Sequence, residues 1–243
     1  MIFLGLAILC FNVWASYPQQ NIEYDVFNNK TKVGTQTVTI SYLPSSLEKP
    51  LGGRIIEVFT TLELDEYHFE QRSTAQFSGS NIKFISASSL NKSNTELQGR
   101  LKNDGTWLIH KIGEDTEVFE FSNIEMEMPS IAFYDPVFSQ QLLEKKQGGI
   151  FFIEHQKLLK GTWVEKGVEK QRVSGKKIEG MSYVFDAEHA YQAVWSDTGL
   201  LMSWQFKFNE MDVKGKIKSL PEQPDFGQIE SLKSFQGVLE EEL

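Results

Sequence analysis

Apolar and polar residues alternate along most of this chain with the period of two that a half-buried β-strand demands. The pattern is clearest over residues 191–218. There Ser196-Asp197-Thr198-Gly199 makes a turn whose glycine takes positive φ cheaply, and both flanks alternate, so the stretch predicts a β-hairpin. On the second arm Leu200, Met202, Trp204, Phe206 and Phe208 fall on one face, with Leu201, Ser203, Gln205, Lys207 and Asn209 on the other.

The same rhythm starts early. Ile22, Tyr24 and Val26 alternate with polar neighbours, the 28–31 stretch turns, and 33–42 completes a first hairpin. A Pro-, Ser- and Gly-rich loop over 43–53 precedes two long amphipathic strands, 54–65 and 66–77. Turns at 78–81, 91–94 and 103–105 then separate strands 82–90, 97–102 and 107–112, the signature of an antiparallel meander. Residues 129–147 break the rhythm. Val137, Phe138 and Leu142 share a helical face after Pro136, and Gly148-Gly149 ends it, which predicts one short helix. Strands resume at 150–154, 162–165, 170–173 and 183–185.

About ten to thirteen strands and a single helix of roughly 18 Å leave one apolar sheet face that the helix cannot cover alone. The expected fold is mainly β: a large curved antiparallel sheet, a half-barrel or open barrel, with one short helix. Residues 16–220 are expected to form a single domain, and 221–243 an acidic tail, helical or frayed, ending in Glu240-Glu241-Glu242.

The N-terminus changes the picture of where the protein works. An apolar run from Ile2 to Phe11, followed by Val13-Trp14-Ala15 before Ser16, reads as a secretory signal peptide cleaved near Ala15, too short to span a membrane. Cys10, the single cysteine, follows Leu9 and sits inside the apolar run, so it does not read as a lipid-acceptor site. Cleavage leaves a mature chain without cysteine, and without disulfides or thiolate metal sites. The expected location is secreted or periplasmic, with no transmembrane helix in the mature chain.

Tyr24-Asp25-Val26 followed by Val33-Gly34, and Val194-Trp195 with Asp197, Gly199 and Leu200, resemble the opening and closing hairpins of a bacterial secreted family of unknown function. Members of that family are similar in architecture to the half-barrel lipoprotein carriers of the LolA and LolB type. The resemblance implies an envelope location and a curved sheet, and it brings no catalytic residues.

Hydrophobic residues make up 40% of the 243 and eighteen are Phe, ample for a packed core. Against 33 Asp and Glu stand 24 Lys and Arg, a net charge of −9 that argues against nucleic acid and anionic membrane surfaces as partners. Candidate chemistry is sparse. His68, His110, His155 and His189 have no spacing that aims two imidazoles at one metal. Glu66, His68 and Glu70 share a strand face with Arg72 and read as a solvated polar face. Ser174-Gly175-Lys176-Lys177 lacks the upstream glycine and following Ser or Thr of a phosphate loop, and reads as a turn.

No cofactor, metal or catalytic residue is therefore expected. The expected function is non-enzymatic: an envelope protein that binds a lipid, another apolar ligand or an apolar segment of an envelope protein through Trp195, Met202, Trp204, Phe206 and Phe208. A glycan hydrolase using Glu66, Glu70 or the 114–120 carboxylates is the alternative in another class, and a purely structural interaction domain is a third.

Overall fold

The computed structural model describes residues 18–222 apart from 44–51, 65–66, 80, 91–93, 114, 123, 138, 140–146 and 209–210. The expected signal peptide and all but the first two residues of the expected acidic tail lie outside the described residues. Eight strands come first: β1 (Gln19–Asn28), β2 (Thr31–Leu43), β3 (Gly53–Leu64), β4 (Tyr67–Ser78), β5 (Asn81–Leu90), β6 (Thr95–Leu101), β7 (Trp107–Ile112) and β8 (Glu117–Phe121). The two-residue β9 (Met128–Pro129) leads into a 3-10 helix, Ser130–Tyr134. Then follow β10 (Gln147–Phe152), β11 (Lys157–Val173), β12 (Lys176–Asp186), β13 (Tyr191–Ser196), β14 (Leu201–Phe208) and β15 (Met211–Ile217).

All fifteen strands belong to one sheet, in the order β8-β7-β6-β5-β4-β3-β2-β1-β15-β14-β13-β12-β11-β10-β9. Two meanders thus meet at a central ladder between the first and last strands, where Tyr24 pairs with Ile217 and Asn28 with Val213. Every pairing is antiparallel except β9 with β10, where Met128 and Pro129 run parallel to Ile150 and Phe151.

Connectivity forces this sheet to curl. Laid flat, fifteen strands would set the two edges roughly 65 Å apart. Yet β8 and β9, which are those edges, are joined by residues 122–127 alone, a tether of at most about 25 Å. Strand twist supplies the curl. The edges accordingly meet: the Phe121 ring on β8 lies 6.1 Å from Phe151 on β10, and the Glu127 N–H donates to Gly149 O at 2.8 Å. No strand ladder seals that gap among the described residues, so the sheet is an open barrel.

The helix expected over 129–147 is replaced at its start by the 3-10 helix, with Pro136, Val137 and Ser139 helical beyond it and Phe138 and Leu142 outside the described residues. All five residues of the 3-10 helix are buried, because the turn occupies the lumen of the barrel. Phe133 packs against Trp163, Trp195, Tyr191 and Phe152 with ring centroids 5.1–6.1 Å apart. Tyr134 meets the edge of Tyr24, whose hydroxyl donates to Leu201 O at 2.7 Å. The lumen is thus packed from both meanders onto one plug.

Two departures from strict alternation matter below. Residues 162–165 and 170–173, expected as separate strands, are parts of β11, with a bulge at Glu165/Gly167 where Gly167 sits at φ +104°. A second bulge, between Val194 and Trp195, pairs Trp195 with Leu201 and leaves Met202 unpaired.

Candidate functional site

The five residues expected to share a ligand-binding face are separated by the structure. Trp195 and Trp204 do face the lumen, where they are 1% and 2% exposed. The Trp195 indole N–H donates to Phe133 O at 3.2 Å, and the Trp204 N–H donates to Gln36 Oε1 at 3.0 Å. Half-buried Phe206 stacks on Trp204 and Tyr191, and the side chain of Phe208 lies outside the described residues. Met202 is on the opposite face. The bulge turns it over, so that a Cβ at Gly180 would fall 2.8 Å from its sulfur and 2.9 Å from Val194 Cγ1. The expectation that Met202 joins the tryptophan face is corrected accordingly, since a bulge reverses the facing of every residue beyond it.

Near Trp204 and Phe206 the free space is about 20 Å³, room for one water, beside Gln36, Thr60 and Glu154. Gln36 joins the plug to the wall: its carbonyl accepts from Tyr134 O–H at 2.9 Å as well as from Trp204, and its amide donates to Thr60 Oγ1 at 3.0 Å. The turn after β10 caps this end. Glu154 accepts from Ser130 Oγ at 2.7 Å, and burial raises its pKa.

Beside Glu154, the His155 ring stands edge-on to Phe206 at 5.2 Å. Desolvation first, then the neighbouring His189 and Lys157, push the imidazole down to about 4. The unfolded imidazole protonates near pH 6.5, so stability is intact above that pH and is lost as pH falls from about 6.5 to about 4, by about 1–2 kcal/mol for a half-buried ring. Replacing His155 with Leu is expected to flatten that stretch, as read by urea unfolding at about pH 7.5 and about pH 4.5. An unchanged slope would place the titration on another group.

A roomier space opens where the lumen ends. Val168, Met181 and Trp195 are successive partners across β11, β12 and β13, so their side chains form one row on one face. With Tyr183, whose ring lies 6.0 Å from Trp195, they line an open cleft of about 360 Å³. Ser139, Ser196 and Asp197 supply polar atoms at its rim. Val168 is 57% exposed and adds apolar surface to this cleft. The neighbouring Trp163 is buried, and its indole N–H has no hydrogen-bond partner among the described residues. The Ser196–Gly199 turn borders the cleft. Gly199, at φ +76°, presses so closely on Pro136 O that a Cβ there would fall 2.4 Å away, and Ser139 Oγ donates to Gly199 O at 2.9 Å.

The carboxylates considered for acid-base work lie elsewhere. His68 sits between Glu63 at 2.6 Å and Glu70 at 3.3 Å on the solvent face, and Glu63 is a cross-strand partner that the pattern of 66–72 did not reveal. Both carboxylates raise the His68 pKa, the Glu63 hydrogen bond most. Glu117 and Glu120 are engaged by Lys111 and Lys102 in exposed ion pairs, and Glu66 and Glu114 lie outside the described residues. His155 and His189 approach to 6.3 Å between rings, but no group of three metal-ligating side chains assembles among the described residues. No described helix is long and apolar enough to cross a membrane.

No family model matches this sequence, and no curated protein matches it. Among solved structures, the chain is similar to the crystal structure of a β-barrel-like protein, a domain of unknown function termed DUF1849, from Brucella abortus. The TM-score is 0.53 at 11% identity, over 84% of this chain and 97% of that one. The likeness is one of fold. It agrees with the open barrel described above and with the barrel-like architecture of a bacterial family of unknown function.

Proposed function

We propose that this chain is a secreted, non-enzymatic envelope protein that buries an apolar group of a ligand, an acyl chain or aromatic moiety, in the cleft formed by Val168, Met181, Tyr183 and Trp195. The observation that carries the reading is the cross-strand row Val168–Met181–Trp195, which leaves apolar surface lining an open space of about 360 Å³. That volume falls in the range of small-molecule sites, roughly 300–1,000 Å³. Covering it returns roughly 25 cal/mol for each Å² of apolar surface removed from water. Secretion rests on the apolar run from Ile2 to Phe11 followed by Val13-Trp14-Ala15. An architecture resembling the half-barrel lipoprotein carriers of the LolA and LolB type is in keeping with an apolar cargo.

Native mass spectrometry of the mature protein and titration with an apolar fluorescent probe test the reading together. The expected result is probe uptake at one site, lost or weakened at least tenfold in Val168→Asp, whose exposed position spares the fold. A clean apo mass with no uptake, or uptake that Val168→Asp leaves unchanged, would overturn it.

A further inference from the structure

The face opposite the plug holds a second cleft, built from charge. On β15, Val213 and Ile217 are buried toward the lumen, so alternation turns Lys214, Lys216 and Lys218 to the other side. Asp25 and Phe27 of β1 pair with Lys216 and Lys214 and share that side. The far end of the β11–β12 hairpin folds over them. Gln171 Nε2 donates to Ser203 Oγ at 2.7 Å, and Gln192 Nε2 donates to Glu169 Oε1 at 3.0 Å, which pins β11 above β13 and β14. Between the hairpin and β1–β15 lies a cleft of about 510 Å³, to which β11 adds Lys170 and Arg172.

Five basic side chains and two acidic ones line this space in a protein of net charge −9. The two acids offset only part of that charge. Asp25 pairs with Lys32 from outside the cleft at 2.5 Å, and Glu169 accepts from Gln192. Lys170 and Lys218 are matched by Glu179 and Glu23, at 2.9 and 2.8 Å. Arg172, Lys214 and Lys216 form no ion pair among the described residues, and Lys216 lies over the Phe27 ring at 5.7 Å. These three cations, without an ion-pair partner among the described residues, stand on one concave surface and repel one another. A multiply charged anion would cancel that repulsion. Screening over about 8–10 Å lets this local field act despite the acidic remainder of the chain.

We propose that this cleft is a binding site for a phosphoryl-bearing anion, held by Arg172, Lys214 and Lys216. A phosphate ester carries nearly two charges and three acceptor oxygens, which three cations satisfy, whereas a lone carboxylate would leave part of the field unbalanced. The planar guanidinium of Arg172 suits two oxygens at once, and Phe27 offers an apolar surface to whatever the phosphate is attached to. The same chemistry arrives on a soluble polyphosphate or sugar phosphate, or on a phospholipid headgroup. The site stands apart from the apolar cleft and does not depend on it.

Calorimetric titration of the full chain at low ionic strength with pyrophosphate, in parallel with sedimentation on phosphatidylcholine vesicles with and without phosphatidylglycerol, tests this. Pyrophosphate binding that weakens at least tenfold in Lys214→Gln/Lys216→Gln and in Arg172→Gln, and not in the distant Lys83→Gln, supports the site. Binding to pyrophosphate alone assigns a soluble ligand; binding to phosphatidylglycerol vesicles with the same sensitivity assigns a headgroup. Absence of both, or binding that all three variants retain, overturns the proposal. The urea midpoint of Lys214→Gln/Lys216→Gln should match that of the unsubstituted chain, which shows that the variant is folded, and uptake of the apolar probe, read separately, distinguishes failure here from failure of the apolar reading.

Discussion

Asp135→Ala is expected to lower the unfolding free energy by about 3–5 kcal/mol, read as a shift of the urea midpoint at unchanged slope. Asp135 is fully buried at the end of the 3-10 helix, and its Oδ2 accepts from Arg54 Nε at 2.8 Å and pairs with Nη2 at 2.8 Å. Its other oxygen accepts from the Val137 N–H at 3.0 Å. Arg54 is 2% exposed, donates also to Gly79 O, and lies over Phe77 at 5.5 Å. Removing the carboxylate leaves a guanidinium in the core without its counter-ion, and that uncompensated charge is the larger part of the cost. The double variant Arg54→Met/Asp135→Ala should therefore lose less than the sum of the two single changes, because neither charge is then stranded. Additive losses, or a single-variant loss under about 1 kcal/mol, would mean that this pair does not anchor the plug.

Gln36→Leu is expected to cost about 2–5 kcal/mol, since one side chain satisfies two buried donors, Tyr134 O–H and Trp204 N–H, and itself donates to Thr60. Leucine matches the volume and satisfies none of them. Burial already raises the Tyr134 pKa, so the phenol cannot escape by ionising. Gln36→Glu distinguishes loss of acceptors from loss of shape: its protonated carboxyl still offers a carbonyl to both donors, so at about pH 4 it should retain more stability than Leu does, an advantage lost as pH rises and the buried group must ionise without a partner. Equal losses for the two variants would show that packing, not hydrogen bonding, fixes the plug.

Much of this molecule was legible in the order of its residues. Strands such as 54–65 and 82–90 announced themselves because one sheet face is buried and the other wet, and the Asp197–Gly199 turn was fixed by local geometry. What escaped is non-local. A bulge at Val194/Trp195 turned Met202 away from the tryptophans, and nothing in an unbroken alternation marks where one residue goes unpaired. Arg54 and Asp135 stand 81 residues apart, and each alone reads as an ordinary surface charge. The lumen plug was missed because an apolar run such as Ser130–Tyr134 fits a helix face as readily as a filled barrel interior.

The candidate sites divide in the same way. Trp195 was found from sequence as part of a stripe, but its cleft partners Val168, Met181 and Tyr183 come from strands whose register no local pattern fixes. The basic cleft was hidden by a net charge of −9, an average over a surface on which Lys214, Lys216 and Arg172 are gathered by a folded-back hairpin. Net charge argues about the whole surface and is silent on segregation within it.

The ladder between β1 and β15 sets the order in which the chain can mature. As the polypeptide emerges, the opening strand has a neighbour on one side only, and its other row of amides waits for Ile217 and Lys216, among the last described residues to arrive. Half-made copies thus expose a strand edge at the centre of the future sheet, where one nascent molecule can pair with another. A sheet joined at its centre by so distant a contact is expected to fold slowly, as non-local pairing generally does.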